Sequence, residues 1–359
     1  GTTMEDIFHA DISPPLWSSK PLDQDPEVII QAHLAFLRAG VRVIETASYQ
    51  AAFSTFAAAG YSASDAERLM RRSVQLAATA RTRFAAETQA QAAPGASACI
   101  ALSLGAFGAT LPLPHELDGH YPPPFGPQAF RADGPNLTAF APDARAAADA
   151  SVAALADFHL ARLRVFAGDA DAWGAVDALA FETVPLVREV TALRRAMTAL
   201  RAELGARAWK PWWISTVWPA GALPEEVAPG GPRMGPREVV AALFGQAAGE
   251  AYERPDAFAV NCSALDYIPA IVGEAEQAVR DLGLDGEKPW LLLKPNGGQE
   301  FDVRTRTWSQ SRGKDAWATE LTAVVKKARA GGVWGGVLAG GCCKTVPDDM
   351  RALSAGIQT

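Results

Sequence analysis

The hydrophobic positions of this chain follow two alternating patterns: short continuous apolar runs, and longer segments in which apolar residues recur every three or four positions. The first pattern predicts strands covered on both faces, as in parallel sheets, and the second predicts amphipathic helices. Seven apolar runs are predicted to be strands, at residues 41–48, 97–105, 177–184, 211–218, 256–262, 290–296 and 333–339. Helices are predicted at residues 22–39, 62–91, 142–167, 186–205, 236–250, 267–282 and 314–330.

Strands that alternate with helices along the whole chain predict an α/β fold with a parallel sheet. We expect one domain over residues 1–359, a (β/α)8 TIM barrel with loop insertions near 106–135 and 219–236, where proline and glycine are frequent. Seven strands are one short of a closed barrel, so we expect a first strand before Gly1. The alternative is an open doubly wound sheet, but no GxGxxG loop joins a predicted strand to a helix.

The overall composition is that of a soluble globular protein, with 49% hydrophobic and 20% charged residues and a net charge of −7. The absence of basic runs argues against a nucleic-acid partner. No apolar run reaches the ~20 residues that a membrane-spanning helix needs. Four cysteines in 359 residues do not form a disulfide framework, and reduced thiols fit a cytoplasmic location. We therefore expect a cytoplasmic protein that acts on small molecules, with an oligomeric state that the sequence leaves open.

Polar residues recur where the predicted strands end. In (β/α)8 barrels the active site lies at the carboxyl ends of the strands. The polar residues at these ends are Glu45 and Thr46, Glu182 and Thr183, Asn261 and Cys262, Lys294 and Asn296, and Cys342 and Cys343.

Three of the four cysteines are at such strand ends. Cys262 ends one predicted strand, and Cys342 and Cys343 follow another after the turn at Gly340 and Gly341, where we expect glycine to be needed for the backbone conformation. In a barrel these two strands are next-nearest neighbours, so their thiols can converge. Three thiolates with one open position are typical of catalytic zinc. The alternatives are buried apolar cysteines or a vicinal disulfide, whereas Cys99, inside a strand, is expected in the core.

Five short segments together resemble the homocysteine S-methyltransferase family. They are Gly340-Gly341-Cys342-Cys343, Asn261-Cys262, Phe181-Glu182-Thr183-Val184-Pro185, Thr46-Ala47-Ser48-Tyr49-Gln50-Ala51 and Leu16-Trp17-Ser18-Ser19. The resemblance covers essentially the whole chain, and the two cysteine motifs in this order are its most specific part. It implies a zinc-dependent barrel enzyme that methylates homocysteine to methionine. The Asp-Gly-Gly turn that ends the first strand of the family is absent from this sequence.

The resemblance also implies roles for individual residues. Cys262, Cys342 and Cys343 would be the zinc ligands and the catalytic centre, and Glu182 would hold the ammonium group of the substrate. Thr183, Asn261, Tyr49, Gln50 and Trp17 would contact substrate. Tyr49 and Trp17, with Phe107, Tyr121 and Trp218, could offer aromatic faces to a cationic donor.

The methyl donor is expected to be a sulfonium compound. Betaine-using members of the family carry a tyrosine where this chain has Thr183. S-methylmethionine is therefore the first choice and S-adenosylmethionine the second, because no adenosine pocket stands out.

Three other functions stay open at the level of the sequence. A hydrolase with Cys262 as nucleophile would need a histidine at a strand end, and none of the five histidines is there. A non-catalytic zinc or thiol sensor would have a closed fourth ligand position. A methyltransferase acting on another thiol or selenol, such as selenocysteine, would use the same residues.

Overall fold

Seven parallel strands form the main sheet of the computed structural model, which describes residues 1–88, 98–246, 251–284, 286–299, 301–302, 307–308 and 314–358. The strands are β1 (Val43–Glu45), β2 (Cys99–Gly105), β3 (Ala178–Val184), β4 (Trp212–Thr216), β5 (Ala257–Asn261), β6 (Trp290–Lys294) and β9 (Val337–Ala339). A separate antiparallel pair consists of β7 (Phe301–Asp302) and β8 (Thr307–Trp308).

The order of the strands in the sheet decides between the two predicted architectures. Each strand pairs with its predecessor in the sequence β1-β2-β3-β4-β5-β6-β9, without a reversal. A doubly wound sheet reverses its order at a switch point, whereas a (β/α)8 barrel does not. The predicted barrel fold is therefore confirmed, and the doubly wound alternative is wrong.

The helices alternate with these strands in the described residues. They are α1 (Thr2–Asp6), α2 (Pro21–Gln24), α3 (Pro26–Arg38), α4 (Phe53–Ala58), α5 (Ala63–Thr88), α6 (Arg145–Ala167), α7 (Ala170–Ala175), α8 (Val187–Leu204), α9 (Pro236–Phe244), α10 (Ile268–Asp281), α11 (Lys314–Ala330) and α12 (Pro347–Gln358). Asp25 shows how the predicted starts arise, because its side chain accepts a hydrogen bond from the amide of Val28 and Pro26 is the first helical residue. No helix in the described ranges combines the length and the apolar character needed to cross a membrane.

Several predicted boundaries differ from the structure. The last strand begins at Val337 rather than at residue 333, because Trp334 stacks on Phe258 at a centroid distance of 5.9 Å and donates a hydrogen bond to Glu276. Helix α9 ends at Phe244, and the predictions for residues 89–91 and 247–250 lie outside the described residues. Helix α12 was not predicted.

Side chains that point to the interior of the sheet alternate along each strand with side chains that pack against the helices. The interior cluster consists largely of small residues: Ala101, Ala180, Ala257 and Ala259, with Trp213 and Leu292. This alternation continues to the carboxyl ends of the strands, so the residues there also face the interior. In the strand register, Asn261 of β5 lies opposite Lys294 of β6, and Gly105 of β2 lies opposite Glu182 of β3. Cys99, predicted to be core, is instead exposed, because it occupies the first residue of β2 at the opposite end of the sheet.

Candidate metal and substrate site

Three cysteine sulfurs meet at the carboxyl end of the sheet. Cys262 follows β5 directly, whereas Cys342 and Cys343 lie on the loop after β9, and β6 separates the two strands. The Sγ atoms of all three residues lie within 4.8 Å of one another, and those of Cys262 and Cys343 are 3.9 Å apart. The fold therefore brings these three thiols together, as the positions of the cysteines at strand ends predicted.

Two of these cysteines lie closest together. The sulfurs of Cys262 and Cys342 are in contact, with Cα atoms 5.5 Å apart, a separation that would also permit a disulfide. The pair in contact is not the vicinal pair of Cys342 and Cys343. Two strand ends that converge on one point bring the sulfurs together. Burial raises the pKa of the remaining thiol, Cys343, and nearby Glu116 adds to that rise.

Backbone packing between two loops holds the cysteines. The amide of Cys342 donates to the carbonyl of Pro295, and the amide of Gly297 donates to the carbonyl of Cys343, both at 2.9 Å. A Cβ atom on Gly341 would lie 2.3 Å from the side chain of Thr345. Glycine is thus required there for space, and neither Gly340 nor Gly341 has the positive φ that the sequence suggested.

Asn261 connects the sulfur cluster to the carboxylate of Glu182. Its Nδ2 donates to Glu182 Oε2 and to Thr183 Oγ1, both at 2.9 Å, and lies 3.8 and 3.9 Å from the sulfurs of Cys262 and Cys342. Its Oδ1 accepts from the amide of Thr183 at 3.0 Å. The structure therefore brings together Glu182, Thr183, Asn261 and the three cysteines at the carboxyl ends of the strands.

Glu182 is a buried carboxylate with a full set of donors. Its Oε1 accepts from Trp213 Nε1 at 3.1 Å and from Ser215 Oγ at 3.0 Å. Its Oε2 accepts from Asn261 and forms an ion pair with Lys294 Nζ at 2.6 Å. Burial, together with the charge of Glu45, raises the pKa of Glu182 to about 7, although Lys294 opposes the rise.

Lys294 lies between two carboxylates. Its ammonium group also pairs with Glu45 at the end of β1, so the three side chains form a Glu45–Lys294–Glu182 triad. Burial alone would lower the pKa of Lys294, but the two carboxylates outweigh burial and raise it. The triad carries one net negative charge when all three groups are ionised.

Tyr49, Gln50 and Trp17 are placed less directly. The hydroxyl of Tyr49 forms a hydrogen bond with Thr183, and burial raises the pKa of this phenol well above its ordinary value. The Oε1 of Gln50 accepts from the amide and the hydroxyl of Ser18, at 3.1 and 2.9 Å. Gln50, which follows β1, thus holds the segment that carries the half-buried Trp17 in place. Tyr49 instead contacts Thr183, next to Glu182.

Two of the aromatic residues proposed for donor binding are engaged elsewhere. The hydroxyl of Tyr121 donates to the buried Glu189 at 2.7 Å. The indole of Trp218 donates to Thr216 at 3.0 Å, and the ring is almost fully buried. Both residues belong to the packing around the sheet.

Two partners of Glu182, Trp213 and Ser215, were not predicted from the sequence, whereas Lys294 was identified as a polar residue at a strand end. Trp213, Ser215 and Lys294 all occupy inward-facing positions of neighbouring strands. The period-two alternation of β4 places Trp213 and Ser215 on the same face, and this signal could have identified them.

Comparison with known proteins adds an independent finding. The sequence profile of the family described as homocysteine S-methyltransferase matches residues 1–357. Homocysteine S-methyltransferase 4 of Zea mays is 31% identical over 359 residues, which cover 100% of this chain and 87% of the relative. A selenocysteine Se-methyltransferase of Brassica oleracea var. italica is 28% identical over 348 residues, with 96% and 83% covered. The crystal structure of the metallated form of the homocysteine methyltransferase MmuM from Escherichia coli superposes with a TM-score of 0.66 at 29% identity, with 99% of this chain and 93% of that chain covered.

Proposed function

Because the chain belongs to the homocysteine S-methyltransferase family, we propose that it transfers a methyl group from a sulfonium donor to the thiol of L-homocysteine, using zinc held by Cys262, Cys342 and Cys343. The observation that carries the proposal is the bridge formed by Asn261. This residue joins the sulfurs of Cys262 and Cys342 to the carboxylate of Glu182 through contacts of 2.9 to 3.9 Å. The sulfurs, which could hold a metal ion that binds the substrate thiol, and the Glu182 carboxylate, which could bind an ammonium group, are thus separated by the side chain of Asn261 alone.

The three cysteines fit a zinc ion by number and type. Thiolates favour zinc over hard cations, and three protein ligands leave one position for a substrate. Zinc–sulfur bonds of about 2.3 Å in a tetrahedron separate the sulfurs by about 3.8 Å, close to the 3.9 Å between Cys262 and Cys343. Cys262 and Cys342 must be in the dithiol state for this role. When bound, zinc would lower the pKa of the substrate thiol, so that the thiolate is present at neutral pH.

Glu182 and Asn261 would orient the amino acid. The carboxylate of Glu182 is 3% exposed and is held in place from β4 and β5, so it can accept a charge-assisted hydrogen bond from the α-ammonium group in a region of low dielectric. Asn261 would hold this carboxylate at a fixed distance and orientation relative to the sulfurs. The arrangement therefore favours a substrate that carries both a thiol and an ammonium group.

The transfer itself needs no general base at the carbon. The homocysteine thiolate forms a bond to the methyl carbon, the bond from that carbon to the donor sulfur breaks, and the donor leaves as a neutral thioether. The thiol proton goes to solvent. With S-methylmethionine as donor, both products are methionine.

The residues on the outer side of the site suit a cationic donor. Tyr49 reaches Thr183, and Glu116 lies near enough to Tyr49 and Cys343 to raise the pKa of both. An aromatic ring and a carboxylate are groups that attract a sulfonium. Thr183 stands where betaine-using relatives have tyrosine, which supports S-methylmethionine first and S-adenosylmethionine second.

The experiment compares three donors on one enzyme preparation. Reduced, zinc-loaded protein is mixed with L-homocysteine and S-methylmethionine, S-adenosylmethionine or betaine, and methionine is quantified by mass spectrometry. We expect the two sulfonium donors to be used faster than betaine. A higher rate with betaine would overturn the donor assignment, and no methionine from any donor would overturn the proposed reaction.

A second acceptor is tested in the same assay. One relative is named a selenocysteine Se-methyltransferase, and a selenol could bind where the homocysteine thiol does. We expect L-selenocysteine to be methylated more slowly than L-homocysteine, and the opposite order would make the selenol the principal acceptor.

A further inference from the structure

The carboxylate of Glu182 has no acceptor position left for a substrate ammonium. A carboxylate offers about four lone-pair sites, and Glu182 already accepts from Trp213, Ser215, Asn261 and Lys294. An incoming ammonium group must therefore replace one of these donors rather than add to them.

Three of the four donors are poorly suited to leave. Trp213 and Ser215 lie within β4 and are buried. Asn261 ends β5, is also buried, and is held by the amide and the hydroxyl of Thr183. Moving any of these side chains would leave a buried polar group without a partner, which is unfavourable.

Lys294 is the donor that can move. Its ammonium group sits on a flexible four-carbon stem and is 14% exposed, against 3% for Glu182. Its second partner, Glu45, is 33% exposed and lies on the solvent side. Lys294 can therefore leave Glu182 and stay paired with Glu45. It also carries the same charge as the group that would replace it.

We propose that Lys294 is a resident counter-ion that the substrate's α-ammonium group replaces on Glu182, and that Lys294, retained by Glu45, then binds the substrate's α-carboxylate. The inference rests on the proposed function, which assigns the ammonium site to Glu182. The exchange keeps every buried charge compensated: Glu182 exchanges one ammonium for another, and the substrate carboxylate receives the cation that was released. Uncompensated buried charges are the costly alternative.

The exchange makes Lys294 and Glu45 specificity-determining residues for the whole amino-acid head group. A thiol without an ammonium group cannot displace Lys294 from Glu182. A thiol without a carboxylate can displace it but offers it no new partner. The highest affinity therefore requires a thiol that carries both an ammonium group and a carboxylate.

The test measures binding by calorimetry, without any methyl donor, to reduced and zinc-loaded protein. The ligands are L-homocysteine, 3-aminopropane-1-thiol, which lacks the carboxylate, and 4-sulfanylbutanoate, which lacks the ammonium. In Lys294→Met we expect the preference for homocysteine over 3-aminopropane-1-thiol to fall by about tenfold or more, the range of one charged hydrogen bond. An unchanged preference would overturn the role in carboxylate binding.

A second variant tests the exchange itself. In Glu45→Gln, Lys294 has no other carboxylate to retain it, so it stays on Glu182, and both ammonium-bearing thiols should bind about tenfold more weakly or worse. Adding Lys294→Met to Glu45→Gln removes the competitor, so 3-aminopropane-1-thiol should bind more tightly to the double variant than to Glu45→Gln alone. A merely structural role for Lys294 predicts the opposite: the double variant would bind all three thiols more weakly than Glu45→Gln alone. That result would overturn the exchange.

Failure of the inference and failure of the proposed function give different results. Protein that shows the expected binding pattern but forms no methionine would refute the proposed reaction and support the role of Lys294. Protein that forms methionine but lacks the pattern would do the reverse. Wild-type protein that binds none of the three thiols would contradict both.

Discussion

Residues with unusual backbone conformations surround the sulfur cluster. Thr183, Cys262 and Lys344 have φ values of 61°, 48° and 63°, in the left-handed region that non-glycine residues seldom adopt. Such a residue costs on the order of 1–3 kcal/mol and persists only where its surroundings over-determine it. Asn261 accepts from the amide of Thr183 at 3.0 Å, and Thr2 accepts from the amide of Lys344 at 3.0 Å. Three of the six non-glycine residues with positive φ among those described therefore lie at or next to the sulfur cluster.

Replacing a single cysteine tests the metal assignment at this scale. We expect Cys262→Ala to lose zinc and methyl transfer while it keeps its fold, because Cys262 lies half-buried after the end of β5 rather than in the core. Metal content is measured by elemental analysis, and the fold by circular dichroism. Cys99→Ala is the matched control, since Cys99 is exposed at the other end of the sheet, and it should keep one zinc per chain. Full zinc content in Cys262→Ala would refute the assignment.

The raised pKa of Glu182 predicts a pH dependence of stability. Its pKa in the folded protein is about 7, against an ordinary value of 4.5. The folded state therefore holds a proton that the unfolded state has lost, and this contribution to stability is complete below about pH 4.5 and disappears as the pH rises through about 7. Glu182→Gln does not titrate, so its free energy of unfolding relative to wild type should increase from pH 5 to pH 8.

Urea unfolding at several pH values measures this difference. Its slope should not exceed about 1.4 kcal/mol per pH unit, the effect of one proton. Glu203→Gln is the control: Arg164 lowers the pKa of the exposed Glu203 below its ordinary value of 4.5, so its difference from wild type should stay nearly constant from pH 5 to pH 8. A difference between Glu182→Gln and wild type that does not change with pH would contradict the prediction.

At the scale of elements, helix α6 fastens the ends of two strands to each other. The buried guanidinium of Arg162 donates to the carbonyls of Ala51, Gly105 and Tyr49, at 3.0, 2.7 and 3.1 Å. Burial lowers the pKa of Arg162 to about 10, so the side chain stays charged at neutral pH. Tyr49 follows β1 and Gly105 ends β2. The side chain of Arg162 therefore fixes the positions of these two strand ends relative to each other, and with them the orientation of Tyr49 toward the site.

Removing this anchor should destabilise the protein strongly. Arg162→Met leaves buried carbonyls without their charged donor, and we expect a loss of roughly 3 kcal/mol or more in the free energy of unfolding. Arg164→Met is the matched control on the same helix, since Arg164 is 57% exposed and pairs with Glu203 at the surface. Its loss should stay below about 1 kcal/mol. Equal losses in urea unfolding would show that Arg162 is not an anchor.

At the scale of the whole molecule, the sulfur cluster connects distant parts of the chain. Cys262 and Cys342 are 80 residues apart in sequence, and the loop after β9 also contacts α1, where Thr3 donates to the carbonyl of Thr345 at 3.1 Å. A metal ion at the cysteines would cross-link β5 to that loop across β6. Its binding is therefore linked to the stability of the fold.

Zinc should raise the melting temperature of the reduced protein. A ligand at 100 times its dissociation constant stabilises the folded state by about 2.7 kcal/mol, provided that it does not bind the unfolded chain. Calorimetric scans with and without zinc measure the shift, which Mg²⁺ should not produce because thiolates bind hard cations poorly. We expect Cys343→Ala to lose the shift, and a variant that keeps it would show that zinc binds elsewhere.

Much of the fold and part of the site could be predicted from local pattern. The apolar runs identified the seven strands of the main sheet, and the polar residues at their ends pointed to Glu182, Asn261 and the cysteines. Helix α12 was missed because its apolar positions are few, with Met350 and Leu353 as its buried hydrophobic residues among those described. The close approach of Thr345 to Gly341 was missed because it depends on a contact rather than on a turn type.

The sequence by itself determined the order and kind of the elements, because hydrophobic periodicity is a local property that each segment carries alone. Only the tertiary structure decided which side chains meet. Lys294 and Glu45 are separated by 249 residues, and Asn261 and Glu182 by 79, yet both pairs are in contact because parallel strands end at one level. Which inward residue lies opposite which depends on strand register and on the direction of each side chain. For that reason only the structure shows which carboxylates Lys294 pairs with: Glu45, and Glu182, the carboxylate proposed to bind the substrate.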